Sequence, residues 1–334
     1  TEITLINSEE EVAVCNLGSI VLHKFIRHDG RLDSEKLQKV VNTAVRMLDN
    51  VIDLNYYPTE TSRRSNLRHR PIGLGVMGYA EALLKCGIDW ETQDHLQWAD
   101  ETFEEINYYS IKASMNLAKE RGAYETFKGS LWSQGKLTID TAVDQRMNVF
   151  SPMEWQLLRE DVMQYGMRNS NLTAIAPTAT IANIVGTTEC TQLINERVLD
   201  KENLSGRFTQ INPLHKYGKP ELIKTVWEVD QLWSVKANNR RQKWIDQAQS
   251  LNLYRKQGVK GREIDTWYTE AWLGGSKTTY YLRNQGAEDG AGRIEDKVAQ
   301  EYVAPEPEIA TTYFEYVAPE PEIATTYFEC EACQ

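Results

Sequence analysis

Helices alternating with short apolar strands along this chain predict an α/β fold in which the helices bury the strands. Three observations carry that reading. Two long segments, 33–52 and 93–121, read as helices. Leu172-Thr173-Ala174-Ile175-Ala176 is an apolar run stopped by Pro177, as a buried strand would be. Residues 68–85 read as a short strand entering a helix through glycines. The 334 residues are 41% apolar, enough for a sizeable core, and nine Trp with sixteen Tyr argue against general disorder.

Taken in order, Glu11 to Leu22 reads as a strand and its exit, with Val12, Val14, Leu17, Ile20 and Val21 as apolar positions. A turn follows at His28-Asp29-Gly30-Arg31. Asp33 then caps a helix with apolar positions at Leu37, Val40, Val41, Ala44, Val45, Leu48, Val51 and Ile52. Gly73-x-Gly75-x-x-Gly78 matches the dinucleotide fingerprint by letter. The strand before it is poor for that role, so close packing of backbone on helix is the preferred reading. Residues 93–121 form the second long helix, ended by Gly122, and Arg159 to Gly166 a shorter one. After Pro177, residues 178–183 enter a helix or turn ending near Gly186. Residues 219–257 read as mostly helical, with Trp227, Trp233 and Trp244 as packing residues. Ile264 to Leu273 is a helix and Thr278 to Leu282 a strand, and the folded part is expected to end near residue 290.

The formal charge of −11 disfavours a nucleic-acid backbone as partner, since phosphate neutralisation needs clustered Lys and Arg. No apolar run approaches the ~20 residues that span a bilayer, and no signal peptide opens the chain. Five cysteines, three of them scattered, do not form a secreted disulfide framework, so a reducing cytoplasm is expected. Beyond residue 290 the hydrophobic pattern is lost. Residues 302–315 recur unchanged at 316–329, rich in Pro and Glu, and the chain ends in Cys330-Glu331-Ala332-Cys333-Gln334. A dithiol on a segment of 291–334 that cannot fold reads as a mobile electron carrier, the alternative being a frayed terminus with incidental cysteines. A start at Thr1, without Met, is expected of a fragment or processed piece.

Other residues are candidates for chemistry. Pro177-Thr178-Ala179-Thr180 is a strand-to-helix turn that could cradle a phosphate, although a simple N-cap reads the same way. Tyr280 and Tyr281 are neighbours on an expected strand, where side chains face opposite ways unless the backbone departs locally. The ordinary reading is one core and one surface ring. The functional one is a stacked redox pair, because a phenol with a pKa near 10 holds its proton at neutral pH and can lose electron and proton together. Cys15, Cys86 and Cys190 would each ordinarily be a small buried hydrophobe, and Glu2 a solvated carboxylate.

In this order, Thr1-Glu2-Ile3, EVAVCNLGSI (11–20), RHRPIGLGVMG (68–78), RNSNLTAIAPTATIANIVG (168–186), SGRFTQINP (205–213), KTTYYLRNQGAED (277–289) and CEACQ (330–334) together resemble the C-terminal part of the large (α) subunit of class I ribonucleotide reductase. The likeness covers about residues 1–290 and the last five. It implies part of that family's ten-stranded α/β barrel, its second half, followed by a disordered tail. It also implies reduction of ribonucleoside diphosphates to deoxyribonucleoside diphosphates by radical chemistry with dithiol oxidation.

By this resemblance Glu2 matches the active-site glutamate of an Asn-x-Cys-x-Glu loop whose Asn and radical cysteine would precede Thr1. Cys15 matches one of the two thiols that end as a disulfide. Thr178, Ala179, Thr180 and Ile181 match the substrate-diphosphate loop, Ile181 replacing a hydroxyl residue. Tyr280 and Tyr281 match the radical-relay pair, and Cys330 and Cys333 the tail thiols reduced by thioredoxin or glutaredoxin. Residues 187–192 depart from the commoner Glu-Pro-containing form, and the tail duplication is not a family feature. The implied partners are a ribonucleoside diphosphate, an upstream α-subunit polypeptide supplied by a split gene or across an intein junction, and the small (β) subunit. The small subunit would supply a metal-generated radical, so no cofactor and no metal is expected on this chain, and nucleotide effectors would bind upstream regions. The competing reading is a non-catalytic relic or interaction module. Decay at Glu2, Cys15, Tyr280, Tyr281, Cys330 or Cys333 would mark it, and all six match.

Overall fold

Several helices start where a hydroxyl or carboxylate caps the first turn: Asp33, Thr59, Thr92 and Asp230 each accept from a backbone N–H there. The structure, a computed structural model, describes residues 2–148, 151–203 and 206–286. In chain order the elements are β1 (Leu17–Val21), α1 (Ser34–Leu54), α2 (Glu60–His69), β2 (Gly73–Met77), α3 (Tyr79–Cys86), α4 (Gln93–Arg121), α5 (Trp155–Tyr165), α6 (Ala179–Val185), β3 (Val198–Asn203), β4 (Gly206–Ile211), α7 (Gln231–Gln242), β5 (Leu253–Arg255), α8 (Gly261–Leu273) and β6 (Leu282–Asn284).

β1, β2, β5 and β6 belong to an open parallel arc. β1 pairs with β2 from Leu17↔Gly73 to Val21↔Met77. Leu74 bridges to Thr173, and Ile175 to Gln249, both parallel. β5 pairs with β6, again parallel. Residues 172–176 and 247–252 thus act as strands between β2 and β6, although only isolated bridges mark them. The Asp246 carboxylate ties these two together, accepting from Leu172 N, Thr173 N and Thr173 Oγ1 at 2.7, 2.7 and 2.9 Å. An α/β arc of this kind agrees with the expected part of a barrel.

The helices lie against the arc. α1 packs on α4, α4 on α7, and α7 on α8. Asp33 caps α1 through Lys36 N; of its apolar positions Leu37, Val41, Val45, Leu48 and Ile52 are buried, Val40 and Ala44 are partly buried, and Val51 is exposed. α4 spans the expected residues and is capped by Thr92. Close packing explains the glycines of β2: a Cβ on Gly75 would stand 2.5 Å from the Ala174 carbonyl oxygen, and Gly78 adopts φ +73° to turn into α3.

Several expectations need correction. Residues 11–16 are irregular rather than strand, and β1 begins only at Leu17. Residues 219–257 are not mostly helical: α7 is their one α-helix, followed by the strand segment 247–252 and β5. α5 starts earlier, at Trp155, and the last strand lies two to four residues later than expected. α2 and the antiparallel hairpin β3–β4 were not anticipated. The expected tail from 291, with its duplication and Cys330 and Cys333, lies outside the described residues.

Candidate active site

Glu2 lies alongside the strand segment 247–252. Its carbonyl accepts from Ala248 N at 2.9 Å, and its Oε2 accepts from Ser250 Oγ at 2.5 Å. Ser250 N in turn donates to Ile175 O at 2.9 Å. The chain start, the Ser250 strand and the strand leading to Pro177 are therefore consecutive layers of one arc. A carboxylate held at one oxygen by a hydroxyl keeps its other oxygen for a further donor.

Three residues beyond Ile175 the chain turns into α6. Thr178 is buried, and its Oγ1 accepts from Cys190 N at 2.8 Å. Ala179, Thr180 and Ile181 form the exposed first turn of α6, where backbone N–H groups have no intrahelical partner. The loop after α6 is anchored from behind by Glu81 of α3, which is fully buried. Its Oε2 accepts from Thr187 Oγ1, Thr188 N and Thr188 Oγ1, with His23 Nδ1 3.3 Å away. Burial works to raise the Glu81 pKa, but the hydrogen bonds from His23, Thr187 and Thr188 outweigh it and hold the carboxyl below its usual range.

Tyr280 and Tyr281 both turn to one side. Their ring centroids are 3.9 Å apart, and Tyr280 OH donates to Tyr281 OH at 3.0 Å. The hydrogen bond to Tyr281 raises the Tyr280 pKa, and the Glu2 carboxylate adds to the rise. The Arg283 guanidinium stands 5.0 Å from the Tyr281 ring centre. Tyr281 is about half exposed, at 49%, and Tyr280 is partly buried. Neither is a core residue, which removes the ordinary reading of one core and one surface ring.

Cys15 is exposed, one residue before the buried Asn16 at the entrance to β1, so it is not the buried hydrophobe expected of a lone cysteine. None of the bonds among the described residues joins it to Glu2 or to the tyrosine pair. Cys86 and Cys190 do fit the inert reading: burial pushes their thiols up to about 11 and about 12. Sequence reasoning missed Ser250, Asn252, Gln192 and Tyr254. Gln192 Oε1 accepts from Asn252 Nδ2 at 2.8 Å and from Tyr254 OH at 3.0 Å. The one available signal was the polar–apolar alternation of residues 250–253, which favours a strand over the helix expected there. Among the described residues, no group of three His, Cys, Asp or Glu is placed to hold a metal, and no helix is long and apolar enough to cross a membrane.

Comparison with known proteins agrees with this geometry. The family model for the ribonucleotide reductase barrel domain matches residues 1–217 and 214–282. The ribonucleoside-diphosphate reductase subunit alpha of Chlamydia trachomatis is 43% identical over 327 residues, covering 86% of this chain and 31% of that protein. The subunit alpha of Helicobacter pylori is 40% identical, covering 84% and 36%. The large chain of Schizosaccharomyces pombe is 36% identical, covering 90% and 40%. The chain thus spans about a third of the length of the curated relatives it matches, and it belongs to the ribonucleotide reductase barrel-domain family.

Proposed function

We propose that this chain is a working part of the α subunit of a ribonucleoside-diphosphate reductase. The observation that carries the reading is the touching, hydrogen-bonded Tyr280–Tyr281 pair beside a strand that holds Glu2 through Ser250. Tyr281, the more exposed ring, receives the oxidising equivalent from a small subunit whose metal centre generates it, and Tyr280 passes it inward. The cysteine that becomes the thiyl radical comes from polypeptide outside these 334 residues, as do the effector sites. That radical takes the ribose 3′ hydrogen, and Glu2 accepts the 3′ hydroxyl proton as general base. The 2′ hydroxyl then leaves as water. Cys15 and a second thiol supply two electrons and two protons, closing a disulfide, and the 3′ hydrogen returns. The first turn of α6 (Ala179, Thr180, Ile181), positioned by Thr178, receives the substrate diphosphate on its free N–H groups. Cys330 and Cys333 reduce the disulfide and are reduced by thioredoxin or glutaredoxin. A cytoplasmic setting keeps such thiols cycling.

The experiment is reconstitution. The purified chain with the small subunit should form no deoxycytidine diphosphate from labelled CDP, because without a thiyl radical the 3′ C–H bond stays intact. Adding a polypeptide that carries the radical cysteine should restore turnover. Product from the chain and small subunit alone would overturn the assignment.

A further inference from the structure

Adjacent residues on a regular strand point to opposite faces, yet the rings of Tyr280 and Tyr281 touch. The hydrogen-bond register explains how. Gln285 N donates to Arg255 O, and Leu253 N to Tyr281 O, as a parallel ladder requires. Continued backward without a break, that ladder would have Tyr281 N donate to Leu251 O. Instead Tyr280 N makes that bond, at 2.8 Å. Two residues, Tyr280 and Tyr281, therefore stand opposite one, Asn252. This is a β-bulge, which re-aims a side chain and leaves the extra residue outside the ladder.

The displaced Tyr281 N–H is taken by the side chain across from it: it donates to Asn252 Oδ1 at 3.2 Å. The other end of that amide is fixed as well, since Asn252 Nδ2 donates to Gln192 Oε1, which also accepts from Tyr254 OH. Tyr254 is buried in the core side of β5, so the far end of the network cannot drift. We infer that Asn252, braced by Gln192 and Tyr254, is a positioning residue that holds the bulge and thereby keeps the two phenols in contact. An amide suits this place because it offers an acceptor to Tyr281 N–H and a donor to Gln192 at once. The bulge itself stands on geometry alone, whereas its service to radical transfer rests on the function proposed above.

The test uses the full chain with 3-fluorotyrosine at position 280, followed by fluorine NMR. In the unaltered protein this phenol should titrate above the free amino acid, because it donates to Tyr281. Asn252→Ala should lower the midpoint by roughly half to one pH unit, the size of one lost hydrogen bond. Asn252→Asp, which keeps the acceptor for Tyr281 N–H but loses the donor to Gln192 and adds a carboxylate, should not lower the midpoint below the original value. If Asn252→Ala does not melt cooperatively, Gln192→Ala is read in its place; it leaves the Asn252 acceptor intact and should move the midpoint the same way by less. A folded Asn252→Ala with unmoved resonance and midpoint overturns the positioning role, whatever its turnover. Should Tyr281→Phe keep full turnover in the reconstituted enzyme while Asn252→Ala still shifts the titration, the relay reading falls and the positioning of the pair stands.

Discussion

At the scale of residues, Tyr280 and Tyr281 make a demanding prediction because their hydroxyls do little for stability. Both rings are at least partly exposed, and the one bond between the hydroxyls contributes about 0.5–1.5 kcal/mol at most. Tyr280→Phe and Tyr281→Phe should therefore melt within a few degrees of the parent. A phenyl ring has no proton to release and a far higher oxidation cost, so either change should abolish turnover in the reconstituted complex while nucleotide binding persists. Turnover assays and equilibrium binding of the diphosphate separate the two effects. More than a few per cent of residual activity in either variant would make the pair structural. The residue types at these positions were legible in the sequence, as was the candidate pair itself. Their contact was not, because it depends on a bulge that only the pairing with residues 251–255 reveals. The same holds for Glu2 and Ser250, which lie at opposite ends of the described chain and meet only through the arc.

Elements show where local chemistry suffices and where it does not. Asp33 and Gly122 mark helix ends that the sequence predicts, because capping is settled within one turn. Residues 246–252 lie in the stretch 219–257 that the sequence reading takes as mostly helical, and Gln247, Gln249, Ser250 and Asn252 have little strand propensity of their own. What makes them a strand is tertiary: Asp246, Ile175 and Glu2 satisfy their backbone and side chains from both sides. The junction of α3 and α4 offers a pH test. His95 is fully buried; its Nδ1 donates to Trp90 O at 2.7 Å, and its Nε2 accepts from Tyr79 OH at 2.8 Å. Burial pushes its pKa down from the usual 6.5 to about 3. Its folded value lies below its unfolded one, so the unfolded chain takes up the proton first as pH falls. The stabilisation is whole above about 6.5 and declines by up to ~1.4 kcal/mol per pH unit toward 3. His95→Gln should be less stable at pH 7.5 by about 1–3 kcal/mol. Between pH 6.5 and 4.5 its urea midpoint should fall less steeply than the parent's. Parallel slopes would show that His95 is not the group being protonated.

For the whole molecule, the proposed function raises the question of how electrons would reach a disulfide formed at Cys15. Exchange requires an attacking thiolate in contact with a disulfide sulfur, in line with the bond it breaks. In the proposed enzyme, polypeptide beyond these 334 residues completes the cleft around a nucleotide, and a folded reductase is too bulky to enter it. A dithiol on the same chain is small enough. The variant with Cys330→Ser and Cys333→Ser should then stop after about one reduction per site when thioredoxin is the only reductant. It should keep turning over with dithiothreitol, which is small enough to reach the disulfide directly. Deleting one copy of the repeat, 302–315 or 316–329, should matter far less, because the entropy of closing a loop changes only as the logarithm of its length. Single-turnover counting of deoxycytidine diphosphate, with each reductant in turn, distinguishes the cases. If the double serine variant sustains thioredoxin-driven turnover at the parent rate, the terminal cysteines do not carry the electrons, and Cys15 must be reduced by a thiol from elsewhere.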